Sequence, residues 1–317
     1  MRIGVFGTGG VGGYFGGKLA QAGEDVIFIA RGEHLQAIQQ SGLRVDSPKG
    51  DFHIMPAHAT ADPGVAGRVD CVLVGVKAWQ VSEAAAAMKP MVGEQTVVLP
   101  LQNGVEAPKQ LAAVLEAEHV LGGLCKISAQ VVGPGHIRHM GLEPYIAFGQ
   151  ISEWRSSGAA SGERLERLRE AFIRAGVRAE TQVDIQAAMW EKFLFIAAIS
   201  GVGAVARVTV GEVRFLAGSR RMLEQTMEEI HAVALAKGVE LADEVVARTM
   251  AFVDGLPAGS VPSMQRDILD GKPSELEYQN GAVVRMGQES GVPTPVNAFI
   301  YHSLLPQERR ARGMQAA

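Results

Sequence analysis

The sequence predicts an α/β Rossmann-type dinucleotide-binding domain, residues 1–182, followed by an all-α C-terminal domain, residues 183–317. Three observations lead there. The chain opens as strand, glycine turn, helix and strand, the order of a dinucleotide-binding unit. Short apolar runs then alternate with helical stretches, which indicates a parallel sheet. From Asp184 onward almost every segment has helical spacing. At 317 residues the chain is long enough for two domains with substantial cores.

Arg2–Phe6 reads as a short buried strand, and Gly7-Thr8-Gly9-Gly10-Val11-Gly12 follows at once. Gly7 suits the tight turn. Gly9 lets the backbone approach a diphosphate with no Cβ in the way, and Gly12 lets the helix pack closely on the strand. Tyr14 to Ala22 reads as that helix, ended by Gly23, and Val26–Ile29 as the second strand. The helix N-terminus offers N–H groups and partial positive charge to phosphates. The second strand ends Ile29-Ala30-Arg31, without the carboxylate that an NAD site usually places there. Arg31 lies 19 residues after Gly12, about where that acid would sit. A guanidinium grips a 2′-phosphate bidentately and stacks on adenine, so we read the cofactor as NADPH rather than NADH. An ordinary surface charge is the other reading of Arg31.

Glu33–Ser41 is expected as a helix, and Leu43–Met55 as strands or a loop with a turn at Ser47-Pro48-Lys49-Gly50. Cys71–Val76 is a continuous apolar run suited to a strand buried on both faces. Ser82–Met88 reads as a helix, Thr96–Leu101 as a strand, and Val105–Leu115 as a helix. Residues 119–149 read as strands turning at Gly133-Pro134-Gly135. Ser156–Gly162 is flexible in composition. Arg164–Ala175 is an amphipathic helix, and a last strand falls around Val177–Thr181. The domain boundary follows near residues 182–184, where Asp184 is placed to cap a helix. Met189, Phe193, Ile196 and Ile199 recur there at helical spacing. Further helices are expected over Ser219–Lys237, Ala242–Asp254, Met264–Leu269 and Glu275–Ser290, with Gly238, Gly255, Pro257, Gly291 and Pro293 as breakers.

Composition excludes several function classes. A formal net charge of −4 gives no basic footprint for nucleic acid. The longest charge-free apolar run, Phe193 to Ala206, holds 14 residues and is interrupted by Gly201 and Gly203, short for a membrane span. The chain opens directly on a strand, so no signal peptide is expected. Cys71 and Cys125 lie in strand-like segments, which fits a reducing cytoplasm rather than a disulfide framework. No metal is expected. The apolar C-terminal helices leave a homodimer open.

In an open parallel sheet, ligands sit outside the carboxyl ends of the strands. Lys77 and Asn103 both follow such ends. Lys77 suits a cofactor phosphate or the lining of the crevice, and the Asn103 amide suits a ribose, a nicotinamide or a substrate oxygen. A solvated turn is the other reading of each. Lys192 lies at the edge of the most apolar helix, where burial would lower its pKa toward a range useful for proton donation. Spacing alone favours a snorkelling side chain. Glu275 begins a predicted helix, where a carboxylate complements the dipole, and Ser263 reads as a helix N-cap.

Together these segments resemble the ketopantoate reductase (2-dehydropantoate 2-reductase) family over nearly the whole chain. The carriers are the glycine turn with Arg31, Val76-Lys77-Ala78-Trp79-Gln80, Gln102-Asn103-Gly104, Trp190-Glu191-Lys192, Ser263-Met264-Gln265-Arg266-Asp267 and Glu275-Leu276-Glu277-Tyr278-Gln279-Asn280-Gly281. The resemblance implies reduction of an α-keto acid by NADPH in a cleft between a Rossmann domain and a helical one. It implies that Lys192 donates a proton to the carbonyl oxygen. Glu275 would order the site and touch the cofactor, and Ser263 would contact the substrate carboxylate. Asn103 would stand at the nicotinamide end, and Arg31 and Lys77 at the 2′-phosphate.

One departure stands out. The family usually presents asparagines four and eight residues after the lysine, where this chain has Ile196 and Ser200. Ser200 retains a hydroxyl for a substrate contact, whereas Ile196 makes the wall apolar and should shift substrate preference. The resemblance therefore also admits a more apolar relative of ketopantoate. Two competing readings are an NAD-dependent hydroxyacid or polyol dehydrogenase of similar build, and a non-catalytic NADPH-binding sensor.

Overall fold

A computed structural model describes residues 1–157 and 162–314. The Ser/Gly-rich patch expected at Ser156–Gly162 therefore falls largely outside the described residues. The chain divides into two compact units, Met1–Gln102 with Glu106–Gln186, and Asn103–Val105 with Ala187–Ala317. The division falls after Gln186, slightly beyond the expected 182–184, and it assigns one short turn of the N-terminal half to the second unit.

In the first unit, β1 (Arg2–Phe6), α1 (Gly10–Gln21), β2 (Asp25–Ile29) and α2 (Gly32–Ser41) realise the opening pattern. Then come β3 (Leu43–Asp46), β4 (Phe52–Ile54), β5 (His58–Thr60), α3 (Pro63–Ala66), β6 (Cys71–Val74), α4 (Val81–Ala87) and β7 (Val97–Pro100). The unit closes with α5 (Ala107–Leu115), β8 (Leu121–Lys126), β9 (Ala129–Gly133), β10 (His136–His139), β11 (Tyr145–Gln150), α6 (Gly162–Arg174) and β12 (Arg178–Thr181).

The central sheet is wholly parallel, in the order β5-β2-β1-β6-β7. The strand order reverses between β1 and β6, so the crevice for a ligand lies outside their carboxyl ends. The run starting at Cys71 behaves as expected of a doubly buried strand. Cys71 and Leu73 join Phe15, Leu19 and Phe172 on one face, and Val72 and Val74 join Ala84, Met88 and Leu111 on the other. The parallel sheet expected from alternation is present, and two further sheets accompany it. β3, β4, β9 and β10 form a second, mixed sheet, and β8, β11 and β12 a third. Their strands are joined partly by short turns, which permit antiparallel pairing.

α1 starts at Gly10, four residues before the expected Tyr14. Its glycines lower intrinsic helicity but are needed for contact. A Cβ on Gly10 would overlap the backbone of Ala129 in β9, and one on Gly13 would overlap Ile137 in β10. Packing overrides propensity here.

The second unit is helical: α7 (Ile185–Ala206), α8 (Val210–Phe215), α9 (Ala217–Ala236), α10 (Val245–Asp254), α11 (Ser263–Leu269), α12 (Asn280–Ser290) and α13 (Pro295–Ala311). α7 starts in the last residues of the first unit. It is 22 residues long and passes the length and composition test for a membrane span, but 67% of its most apolar window is buried inside the protein. It serves as the core helix of the unit, packed with Leu223, Ile230, Val253, Met264 and Ile300. α13 has no counterpart among the expected helices. Gly291 and Pro293 do end α12, but Pro295 restarts a helix from its first turn, where proline is tolerated.

Candidate functional site

In the first unit the glycine turn is built from main chain. Gly7 has φ +98°, and a Cβ there would stand 2.7 Å from the amide nitrogen of Val76. Gly7 N–H and Thr8 N–H both donate to the Ile29 carbonyl at 3.2 Å, and the buried Thr8 hydroxyl donates to the same oxygen at 3.0 Å. One carbonyl at the end of β2 thus anchors the turn. Gly12 packs on the Gly7 carbonyl and Val5, as close helix–strand packing requires. Gly9 is different. The nearest atom to a Cβ there would be Gly75 O at 4.0 Å, so the space above Gly9 is open. Gly9 is also the N-cap of α1, with no capping side chain and no acidic residue in the first turn. The first-turn N–H groups have no intrahelical partner. An open glycine beside uncapped N–H groups fits a diphosphate.

Arg31 is exposed at the end of β2, in the N-cap position of α2. Its guanidinium stands 3.6 Å from the Glu83 carboxylate on α4. Both side chains are largely exposed, so this pair holds it only weakly. Lys77 is exposed beyond β6, and its Nζ lies 5.7 Å from the Trp79 ring, within cation–π range. Gln102 has a structural role not read from the sequence. Its Nε2 donates to the carbonyls of Val74 (2.8 Å) and Val76 (2.9 Å), tying the end of β7 to the end of β6.

The remaining expected residues all belong to the second unit. Asn103 is half-buried in the turn Asn103–Val105, where Gly104 has φ +111° and approaches the Tyr278 carbonyl. Lys192 is half-buried on α7, between the core residues Trp190 and Phe193. The neighbouring Glu191 accepts from Arg248 Nη2 at 2.6 Å. Ile196, one turn later, is also half-buried. Ser200 is fully buried, and its Oγ has no hydrogen-bond partner among the described residues. Ser263 is the first residue of α11, with Pro262 in the cap position, so the expected N-cap moves back by one residue.

Glu275 is buried but does not begin a long helix. It precedes a short 3-10 turn, Leu276–Tyr278, and α12 starts only at Asn280. Gln279, with φ −111° and ψ −98°, breaks the helix between them, and the residue before Glu275 is clamped. Ser274 N–H donates to both carboxylate oxygens of Glu308 (3.1 Å each), and its hydroxyl donates to Glu308 Oε2 at 2.5 Å. Arg312 donates to Glu308 Oε1 (2.6 Å) and to the Ser274 carbonyl (2.9 Å). Beyond the 3-10 turn, the Tyr301 hydroxyl donates to Glu277 Oε2 at 2.5 Å. Burial, followed by that carboxylate, pushes the Tyr301 phenol up to about 12.

Sequence reasoning missed a second polar system in this unit. Asn280 Nδ2 donates to Asn297 Oδ1 at 3.0 Å, and Asn297 Nδ2 donates to Glu229 Oε2 at 2.7 Å. Gln265 Nε2 donates to the Gly203 and Val208 carbonyls at the end of α7. A Cβ on Gly201 would stand 2.6 Å from Asn280 Oδ1. The two glycines that interrupt the apolar run are thus the points where buried amides meet α7, and they were the available signal.

The N-terminal family model "Ketopantoate reductase PanE/ApbA" matches residues 3–153, and its C-terminal counterpart matches residues 184–308. An uncharacterized oxidoreductase of Bacillus subtilis, YkpB, is 30% identical over 96% of this chain and 98% of its own. The 2-dehydropantoate 2-reductase of Archaeoglobus fulgidus is 33% identical over 94% of each chain. Among solved structures, a PanE/ApbA family ketopantoate reductase from Ralstonia eutropha superposes with a TM-score of 0.87 at 33% identity, covering 98% of this chain and 100% of that one.

Proposed function

The chain belongs to the ketopantoate reductase family, an oxidoreductase family using a nicotinamide dinucleotide, and on that premise we propose that it reduces a 2-keto acid to a 2-hydroxy acid with NADPH. The first substrate to test is 2-dehydropantoate (ketopantoate), giving pantoate. One observation carries this reading: every main-chain feature that fits a dinucleotide lies in the first unit, while Asn103, Lys192, Ser263 and Glu275 all fall in the second.

When bound, the dinucleotide supplies a hydride to the keto carbon. Gly9, Gly10, Val11 and Gly12 offer N–H groups to its diphosphate, and Arg31 and Lys77 offer charge to its 2′-phosphate. Lys192 protonates the carbonyl oxygen as negative charge develops there, which an ammonium also stabilises. Ser263 and Asn103 hold the substrate, and Glu275 orders the groups around it. Cys71 and Cys125 are both buried and are not joined in a disulfide, which suits a reducing cytoplasm.

Ile196 supports a second reading, in which the preferred keto acid is more apolar than ketopantoate. It stands one turn from Lys192 where a hydrogen-bonding residue would select polar substrates, and Ser200, a further turn on, is fully buried. A panel of 2-keto acids followed by NADPH absorbance tests both. Highest kcat/KM for ketopantoate supports the first reading, and highest kcat/KM for a branched or aromatic keto acid supports the second. No NADPH oxidation with any member, despite tight NADPH binding, would leave a sensor and end both.

A further inference from the structure

His34 is a residue that neither the motif nor the family roles employ. It lies in the first turn of α2, three residues after Arg31, and is half-buried. Gly135 N–H donates to its Nδ1 at 3.0 Å, so that nitrogen is an acceptor and carries no proton. Nε2 therefore bears the proton and donates to the Thr8 carbonyl at 2.7 Å. Burial holds the imidazole below its ordinary range, which favours this neutral tautomer. Gly135 has φ +67°, and its missing Cβ leaves room for Ala37 of α2. The turn between β9 and β10 is thereby pressed against the helix that carries His34. One ring joins three segments: the glycine turn, the helix that follows Arg31, and the hairpin that backs the start of α1.

The bond to Thr8 has a directional consequence. A trans peptide is planar, with its C=O and N–H pointing opposite ways. Thr8 O and Gly9 N–H belong to the same peptide plane. Gly9 is conformationally permissive, so that plane would otherwise rotate at little cost. Fixing the oxygen on His34 fixes the direction of the Gly9 N–H on the other side. We propose that His34 is a positioning residue for the dinucleotide, aiming the Gly9 N–H at the diphosphate and setting the offset between the glycine turn and Arg31. This rests on dinucleotide binding at the glycine turn.

Two amide substitutions separate its two hydrogen bonds. His34→Gln places a donor near the position of Nε2 and retains the Thr8 bond, whereas His34→Asn places an acceptor near Nδ1 and retains only the Gly135 bond. Calorimetric titration of each with NADPH, and circular-dichroism melting, gives readouts independent of turnover. The expected result is an NADPH Kd within about threefold of wild type for His34→Gln, and weakened on the order of tenfold for His34→Asn and His34→Ala, the size of one hydrogen bond. The KM for NADPH should follow Kd, with kcat at saturating NADPH nearly unchanged. Should His34→Asn not fold, the Gln and Ala variants carry the same comparison. Equal affinities for the Asn and Gln variants, or Gln as weak as Ala, would overturn the role of His34 while wild-type binding stands. Wild-type protein that binds neither NADPH nor NADH would instead overturn the dinucleotide reading beneath it.

Discussion

The turn at Gly7–Gly12 and the segment Ser274–Asn280 handle polar groups in opposite ways. The first is main chain held at its root: three donors converge on Ile29 O, and the ring of His34 takes Thr8 O. Its outer rim is left open at Gly9. The second is side chain held from afar. Ser274 is gripped by Glu308, 34 residues away, and Asn280 by Asn297, 17 residues away. Some of its amide atoms are buried without a hydrogen-bond partner among the described residues, namely both ends of Gln279 and Oδ1 of Asn280. A main-chain site binds what any sequence with the right glycines would bind. A side-chain site is specific to its own residues, and leaving polar atoms unpaired in its core costs stability. On the proposed roles, nucleotide binding and substrate chemistry should be separately breakable.

The largest expected effect tests that separation directly. Lys192→Ala should lower kcat by roughly 10²–10⁴, the range of general acid catalysis, while calorimetry shows an unchanged NADPH Kd. A near-normal kcat removes Lys192 from the proton-donor role. A weakened Kd of matching size would merge the two regions into one.

Next in size is Arg31→Ala. Loss of a charge-assisted bond to a 2′-phosphate should weaken NADPH on the order of 10- to 100-fold and leave NADH nearly unchanged. Equal weakening of both dinucleotides would remove the 2′-phosphate contact, and with it the preference for NADPH. The pair with Glu83 is too exposed for its loss to alter stability measurably.

The same contrast explains what was legible in the sequence. The opening strand, turn, helix and strand could be read because the turn is held within the first thirty residues: Gly12 packs on the Gly7 carbonyl, and the Gly7 and Thr8 N–H groups bond Ile29 at the end of β2. The continuous run from Cys71 was legible for the same reason, since a strand buried on both faces needs apolar residues throughout. The start of α1 was not, because Gly10 and Gly13 are there for β9 and β10, more than a hundred residues later. α13 was hidden behind Gly291 and Pro293. It carries Asn297 and Glu308, two buried polar residues whose partners lie far back in the chain. Lys192 and Glu275 are proposed through resemblance rather than spacing. Periodicity reports which face of a helix is apolar, not which polar residue on it does chemistry.

The smallest expected effects come from two adjacent glycines, and they probe the rim against the root. A Cβ on Gly10 would overlap the main chain of Ala129, which cannot rotate away. Gly10→Ala should therefore lower the stability of the first unit by about 1–3 kcal/mol, seen as a reduced melting temperature. A Cβ on Gly9 meets only Gly75 O, at ordinary van der Waals distance, and its φ of −79° suits any residue. Gly9→Ala should melt at nearly the wild-type temperature, with NADPH weakened several-fold because a methyl group now stands where the diphosphate would lie. Both dinucleotides should lose equally, since the diphosphate is common to them. If Gly9→Ala binds NADPH and NADH as wild type does, the diphosphate does not pass over that residue, and the open rim of the turn has another explanation.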